Sequence, residues 1–122
     1  MSEHIIIYHN GQCSKSKGAL ELLQEGCVPH NIRWYLTDPL TEAELTALLA
    51  RLQMRPHELV RKNEPLYEER YEGRALTDAE WLDALVQHPE LIERPVVALG
   101  ERALVARPAE RIWELVEHSK NT

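Results

Sequence analysis

The sequence has no apolar run approaching the roughly 20 residues that a membrane-spanning helix needs, and its opening stretch, MSEHIIIYHN, has no basic region leading into a signal-peptide core. A soluble, cytoplasmic protein with no membrane partner is expected. Positive charge is also scarce: 14 Lys and Arg against 20 Asp and Glu leave a net charge of -6. That balance opposes the phosphate attraction on which nucleic-acid binders depend, so nucleic acid is not an expected partner. Any anion site must be a local cluster of basic side chains. Cysteine is limited to Cys13 and Cys27, and neither belongs to a zinc-type Cys-x-x-Cys pair, so no metal is expected. Nor should the two bond to each other. The segment between them reads as about twelve helical residues, which at ~1.5 Å per residue separates its ends by roughly 18 Å. A disulfide allows at most ~7 Å between Cα atoms.

What is present suits one ordinary domain: 122 residues, 43% of them apolar. The run HIIIY (4–8) reads as a buried strand, broken by HNGQ. A helical pattern follows from Ser14, with Ala19, Leu22 and Leu23 on one face and Gly26 as its stop. Residues 29–36 (PHNIRWYL) suit a second strand, closed by Asp38-Pro39. Two capping boxes, Thr41-x-x-Glu44 and Thr77-x-x-Glu80, each open a helix. Between them, residues 56–70 read as helical pieces broken at Pro65. Then VVAL and ALVA flank Gly100-Glu101-Arg102 as a hairpin, and Pro108 suits the first position of a closing helix with Ile112, Leu115 and Val116. The order is β-α-β, helices, β-β-α.

Cys13 falls at the junction of loop and helix, where unpaired backbone N–H groups and the positive end of the helix dipole favour a thiolate. Lys15 and Lys17 are expected to add positive charge, and the hydroxyls of Ser14 and Ser16 to donate to the sulfur. Cys27, just past the helix, is expected to pack as a small apolar residue. The phosphate loop of tyrosine phosphatases requires an Arg six residues after the nucleophile, and that position is Ala19. A self-contained dithiol also fails, since Asn10 and Ser16 stand three residues either side of Cys13. Anion binding and the second thiol must come from elsewhere. If Gly100-Glu101 is the hairpin turn, Arg94 faces Arg107, and two facing like charges make sense around a shared anion. The alternative is two solvated arginines splayed outward. His9 either holds the loop or acts as a base. Arg61 and Lys62 alone would pass as helix surface.

Four segments taken together, IYHNGQCSKSK, LVRKNEPLYEE, ERPVV and the ARP before the last helix, resemble the glutaredoxin-linked arsenate reductases in collinear order along the whole chain. The resemblance implies an α/β thioredoxin-like (glutaredoxin-like) core, residues 1–36 and 92–119, with an all-helical insertion at 37–91, and a cis peptide bond before Pro95. It implies catalytic roles for Cys13, Ser16 and His9, and oxyanion binding by Arg61, Arg94 and Arg107. It implies an arsenate-reducing oxidoreductase with no bound cofactor or metal, whose electron donors and partners are glutathione and glutaredoxin. Gly11 stands where the family usually has proline, and Lys17 where many members have Arg. Two other readings are a thiol enzyme acting on another oxyanion or disulfide, and a non-catalytic redox regulator like Spx that binds a protein partner. Spx proteins typically carry Cys-x-x-Cys, a pattern that Asn10 breaks. Nothing in the sequence calls for more than a monomer.

Overall fold

The computed structural model describes residues 4–120. The chain forms two compact units, one from Met1–Asp38 with Arg94–Thr122 and the other from Pro39–Glu93.

The first unit is built on a four-stranded sheet in the order β2-β1-β3-β4, from β1 (Ile5–Tyr8), β2 (His30–Arg33), β3 (Val96–Leu99) and β4 (Arg102–Val105). β1 and β2 run parallel, joined by helix α1 (Ser14–Glu25), whereas β3 is antiparallel to both β1 and β4. This is the thioredoxin-like arrangement that the element order predicts. Ile5 and Ile7 of β1, Ala19 and Leu23 of α1, Val97 of β3 and Ile112 of the last helix share one core, so the apolar face of α1 lies on the sheet. Packing this face fixes where α1 begins, and therefore where Cys13 stands.

The hairpin turns at Gly100-Glu101, with Gly100 at a left-handed φ of 60° that a side chain would strain. Its register is the one the turn dictates, Leu99 opposite Arg102 and Val97 opposite Leu104. The ladder ends at Val96 opposite Val105. Arg94 and Arg107 thus lie beyond it and are not the cross-strand pair expected. The peptide bond before Pro95 is cis, as the resemblance implies, and so is the one before Pro108.

Three local expectations are corrected. β2 stops at Arg33 instead of reaching Leu36, because the Trp34 carbonyl accepts from the N–H groups of Thr37 (3.1 Å) and Asp38 (2.8 Å) and turns the chain. Pro108 does not start the closing helix; it precedes a 3-10 turn, Ala109–Arg111, and helix α5 spans Ile112–Lys120. At the end of α1 the left-handed residue is Cys27, at φ 54°, whose N–H bonds to Gln24 O (3.1 Å). Cys27 is exposed, not packed as a small apolar residue. Gly26 is required for a different reason, since a Cβ there would lie 2.9 Å from the Trp113 ring.

The second unit holds α2 (Glu42–Leu52), α3 (Pro65–Arg70) and α4 (Asp78–Gln87), with 3-10 turns at Pro56–Leu59 and Pro89–Leu91. Both capping boxes form: Glu44 N–H donates to Thr41 Oγ1 (3.1 Å) and Glu80 N–H to Thr77 Oγ1 (3.2 Å), each returned by the glutamate. Leu45, Leu48 and Leu85 are buried with Leu59 and Leu91 from the two 3-10 turns. Pro65 breaks the helical run as expected, standing at the first position of α3. An isolated antiparallel bridge between Val60 and Ile92 adds a non-helical element to this unit. No helix among the described residues is long and apolar enough to cross a membrane.

Candidate active site

The loop between β1 and α1 is a small polar cage. The N–H of Cys13 bonds to the carbonyl of Asn10 (3.1 Å), and the N–H of Gln12 to Asn10 Oδ1 (2.9 Å), an Asx turn that the sequence reading missed. The Asn10-Gly11 pair was its available signal. Ser16, buried one turn into α1, accepts from the Asn10 N–H (3.0 Å) and lies 2.6 Å from His9 Nδ1. Burial, reinforced by the charge of Lys17, holds the His9 pKa below its ordinary value. The ring is therefore neutral near pH 7 and shares one hydrogen bond with the Ser16 hydroxyl through Nδ1.

This corrects two expectations. The Ser16 hydroxyl serves His9 and Asn10 instead of the sulfur, and Lys17 acts on His9. The Cys13 thiol is pushed up by its burial, but this is outweighed by the N–H of Ser16, the guanidinium of Arg94 and the N–H of Lys15, so it stays below an ordinary thiol. Cys13 is the residue before the first turn of α1, with extended backbone, and its side chain makes no capping bond of ordinary geometry. Its sulfur nevertheless lies where a capping oxygen would, facing the orphan N–H groups of the second and third helical residues. The charge that favours its anion belongs to Arg94.

Arg94 is only 8% exposed, whereas Arg107 is exposed at the end of β4. The two arginines therefore have unequal settings: one lies against the sulfur and the other faces solvent. Arg61 belongs to the second unit. Its N–H bonds to Leu91 O (2.6 Å) and its Nε to Asn63 Oδ1 (2.8 Å). Among the described residues, no group of three or more His, Cys, Asp or Glu could hold a metal ion.

Trp34, 49% exposed, covers the loop's other side. Its ring meets that of His9 edge-on with centroids 4.8 Å apart, and a Cβ on Gly11 would lie 3.3 Å from its Cζ3. The tryptophan thus occupies space beside Gly11 that a larger residue there would contest.

Two expected outcomes follow from the cage. Ser16→Ala strips the partner from His9 Nδ1 and from the Asn10 N–H, both buried, and should cost about 2 kcal/mol or more in urea unfolding. Because the folded-state pKa of His9 is depressed, unfolding takes up a proton below the unfolded value of 6.5. Stability should be complete above that pH and fall as pH drops from there toward the lower folded-state value. His9→Gln should flatten that part of the stability–pH curve.

The family model described as the ArsC family matches residues 8–115. The chain is 38% identical over 118 residues to an uncharacterized protein of Escherichia coli K12, YfgD, covering 95% of this chain and 99% of that one. It is 36% identical over 116 residues to the arsenate reductase of the same organism, covering 93% of this chain and 81% of that protein. Among solved structures, an arsenate reductase from Vibrio cholerae superposes with a TM-score of 0.87 at 34% identity, covering 93% of this chain and 98% of that one. With a family match that takes in the loop between β1 and α1, Arg61, Arg94 and Arg107, and relatives aligned over nearly its whole length, this chain belongs to the ArsC family.

Proposed function

We propose that the protein reduces arsenate to arsenite through Cys13, in the cytoplasm, with electrons from glutathione and glutaredoxin. The observation that carries this reading is the sulfur of Cys13, held at the start of α1 against two backbone N–H groups and the Arg94 guanidinium. Such a site stabilises negative charge on the sulfur and on an oxyanion brought to it.

In the proposed cycle the Cys13 thiolate bonds to arsenic and one arsenate oxygen leaves as water. A glutathione thiol then attacks the adduct, arsenic accepts two electrons, and arsenite departs. The two electrons come from two thiols, which become a disulfide that glutaredoxin reduces. One protein thiol suffices, since the second is supplied from solution. Arg94 steadies both the thiolate and the incoming charge. Arg107 and Arg61 are assigned to the oxyanion on their match to the family motif. His9 and Ser16 act by fixing the loop, as their hydrogen bond supports.

A coupled assay with arsenate, glutathione, glutaredoxin and NADPH tests this. Arsenate-dependent NADPH oxidation is expected. No rate above the arsenate-free blank, with turnover on another oxyanion or a disulfide instead, would overturn it.

A further inference from the structure

Tyr35 belongs to none of the catalytic or anion-binding positions assigned above, yet the fold buries it beside them. It lies in the turn that ends β2, a place where a tyrosine ordinarily keeps its hydroxyl in water. Here the side chain is 1% exposed, and its hydroxyl is buried with no well-formed hydrogen bond. Leaving such a group unsatisfied costs ~1–3 kcal/mol, and a phenylalanine of nearly the same shape would avoid the cost. The hydroxyl is nevertheless placed among polar groups: the guanidinium of Arg94 and the side chain of Asn10 lie near it, and the sulfur of Cys13 is close enough to act on it electrostatically.

We propose that Tyr35 is a positioning residue for Arg94, its phenolic oxygen accepting from the guanidinium when that group closes on the thiolate and a bound oxyanion. The proposal rests on the anion-binding reading of the site given above. An arginine presents its donors in one rigid plane at the end of a long, rotatable stem, so clasping a sulfur and an oxyanion together requires the plane to be fixed. An acceptor on the side away from the ligand supplies that constraint, while the Tyr35 O–H is left to find Asn10 Oδ1. A hydrogen bond unmade beside the neutral thiol, and completed once the guanidinium closes on the thiolate or on a bound oxyanion, adds its whole worth to those charged states, because only that difference counts. This explains why a buried hydroxyl is kept at a position where phenylalanine would pack as well.

The test is Tyr35→Phe in the whole protein, alone and combined with Arg94→Ala. Three readouts are compared: sulfate affinity by calorimetry, the pH dependence of Cys13 alkylation without ligand, and the thermal midpoint. Sulfate binding should weaken by at least about tenfold, as expected for losing one hydrogen bond to a charged group. The Cys13 titration should move up toward that of a free thiol, and the thermal midpoint should hold or rise. In the Arg94→Ala background, Tyr35→Phe should change neither sulfate affinity nor the Cys13 titration further, because the residue acts through that arginine. Unchanged sulfate affinity and an unchanged Cys13 titration would overturn the proposal, as would an effect of equal size in both backgrounds. If the unmodified protein binds neither sulfate nor arsenate, the arsenate reading fails. The ligand-free titration then decides Tyr35 by itself: a raised midpoint in Tyr35→Phe sustains the role, and an equal one removes it.

Discussion

Cys13→Ser is expected to reduce arsenate-dependent turnover to the uncatalysed background, a loss of at least about a thousandfold, while Cys27→Ser keeps most of it. The asymmetry comes from α1. Its twelve residues, Ser14–Glu25, hold the two thiols at opposite ends, beyond the reach of a disulfide without unwinding. Cys27 is exposed in a left-handed cap, whereas the Cys13 thiol lies against Arg94. A hydroxyl at position 13 keeps the shape of the loop but not the nucleophile, since serine does not ionise under the influence of two N–H groups and one guanidinium. Steady-state assays of the two variants, beside circular dichroism to show that both fold, decide the matter. Equal losses in both variants would mean that Cys27 resolves the adduct and that the single-thiol cycle is wrong.

The second large effect separates the arginines. Arg94→Ala should weaken arsenate or sulfate binding by at least about tenfold, the worth of one charge-assisted hydrogen bond of ~1.5 kcal/mol. It should also raise the Cys13 titration toward that of an ordinary thiol, because Arg94 supplies both a hydrogen bond and a charge to the sulfur. Arg107→Ala should show the loss of anion affinity without the change in thiol titration, since Arg107 is exposed at the end of β4 and is not among the groups acting on the sulfur. Arg94→Lys should restore part of the charge but not the planar fork, so its anion affinity should stay low while its thiol titration moves partway back. Calorimetry with sulfate and alkylation rates across pH provide both numbers for each variant. Identical profiles for Arg94→Ala and Arg107→Ala would contradict the unequal environments.

Where local chemistry dictates geometry, the residues announce it. The two Thr-x-x-Glu boxes start α2 and α4 because they satisfy orphan N–H groups within four residues, whatever surrounds them. The Gly100-Glu101 turn sets the hairpin register for the same reason. The position of Cys13 at the head of α1 was legible too, from the switch between strand-like and helical patterning. The assignments that needed correction depend on tertiary placement. Lys15 and Lys17 neighbour Cys13 in sequence, yet their exposed side chains leave the sulfur to Arg94, 81 positions away. Aromatic and β-branched content carried the expected β2 to Leu36, but propensity does not register the Trp34 carbonyl folding the chain back after Arg33. The oxyanion role proposed for Arg61 came from motif resemblance alone, and that for Arg107 from the resemblance and a hairpin register whose ladder stops short of it at Val105, because a basic side chain on a surface carries no local mark of its ligand.

The proposed cycle requires Cys13 to be held as a reactive thiolate by the head of α1 and Arg94. Its most direct test is the rate of iodoacetamide modification of each cysteine across pH, resolved by peptide mass spectrometry. Cys13 should titrate below the ~8.5 of a free thiol and be labelled ahead of Cys27 at neutral pH. Two superimposable curves would contradict the account.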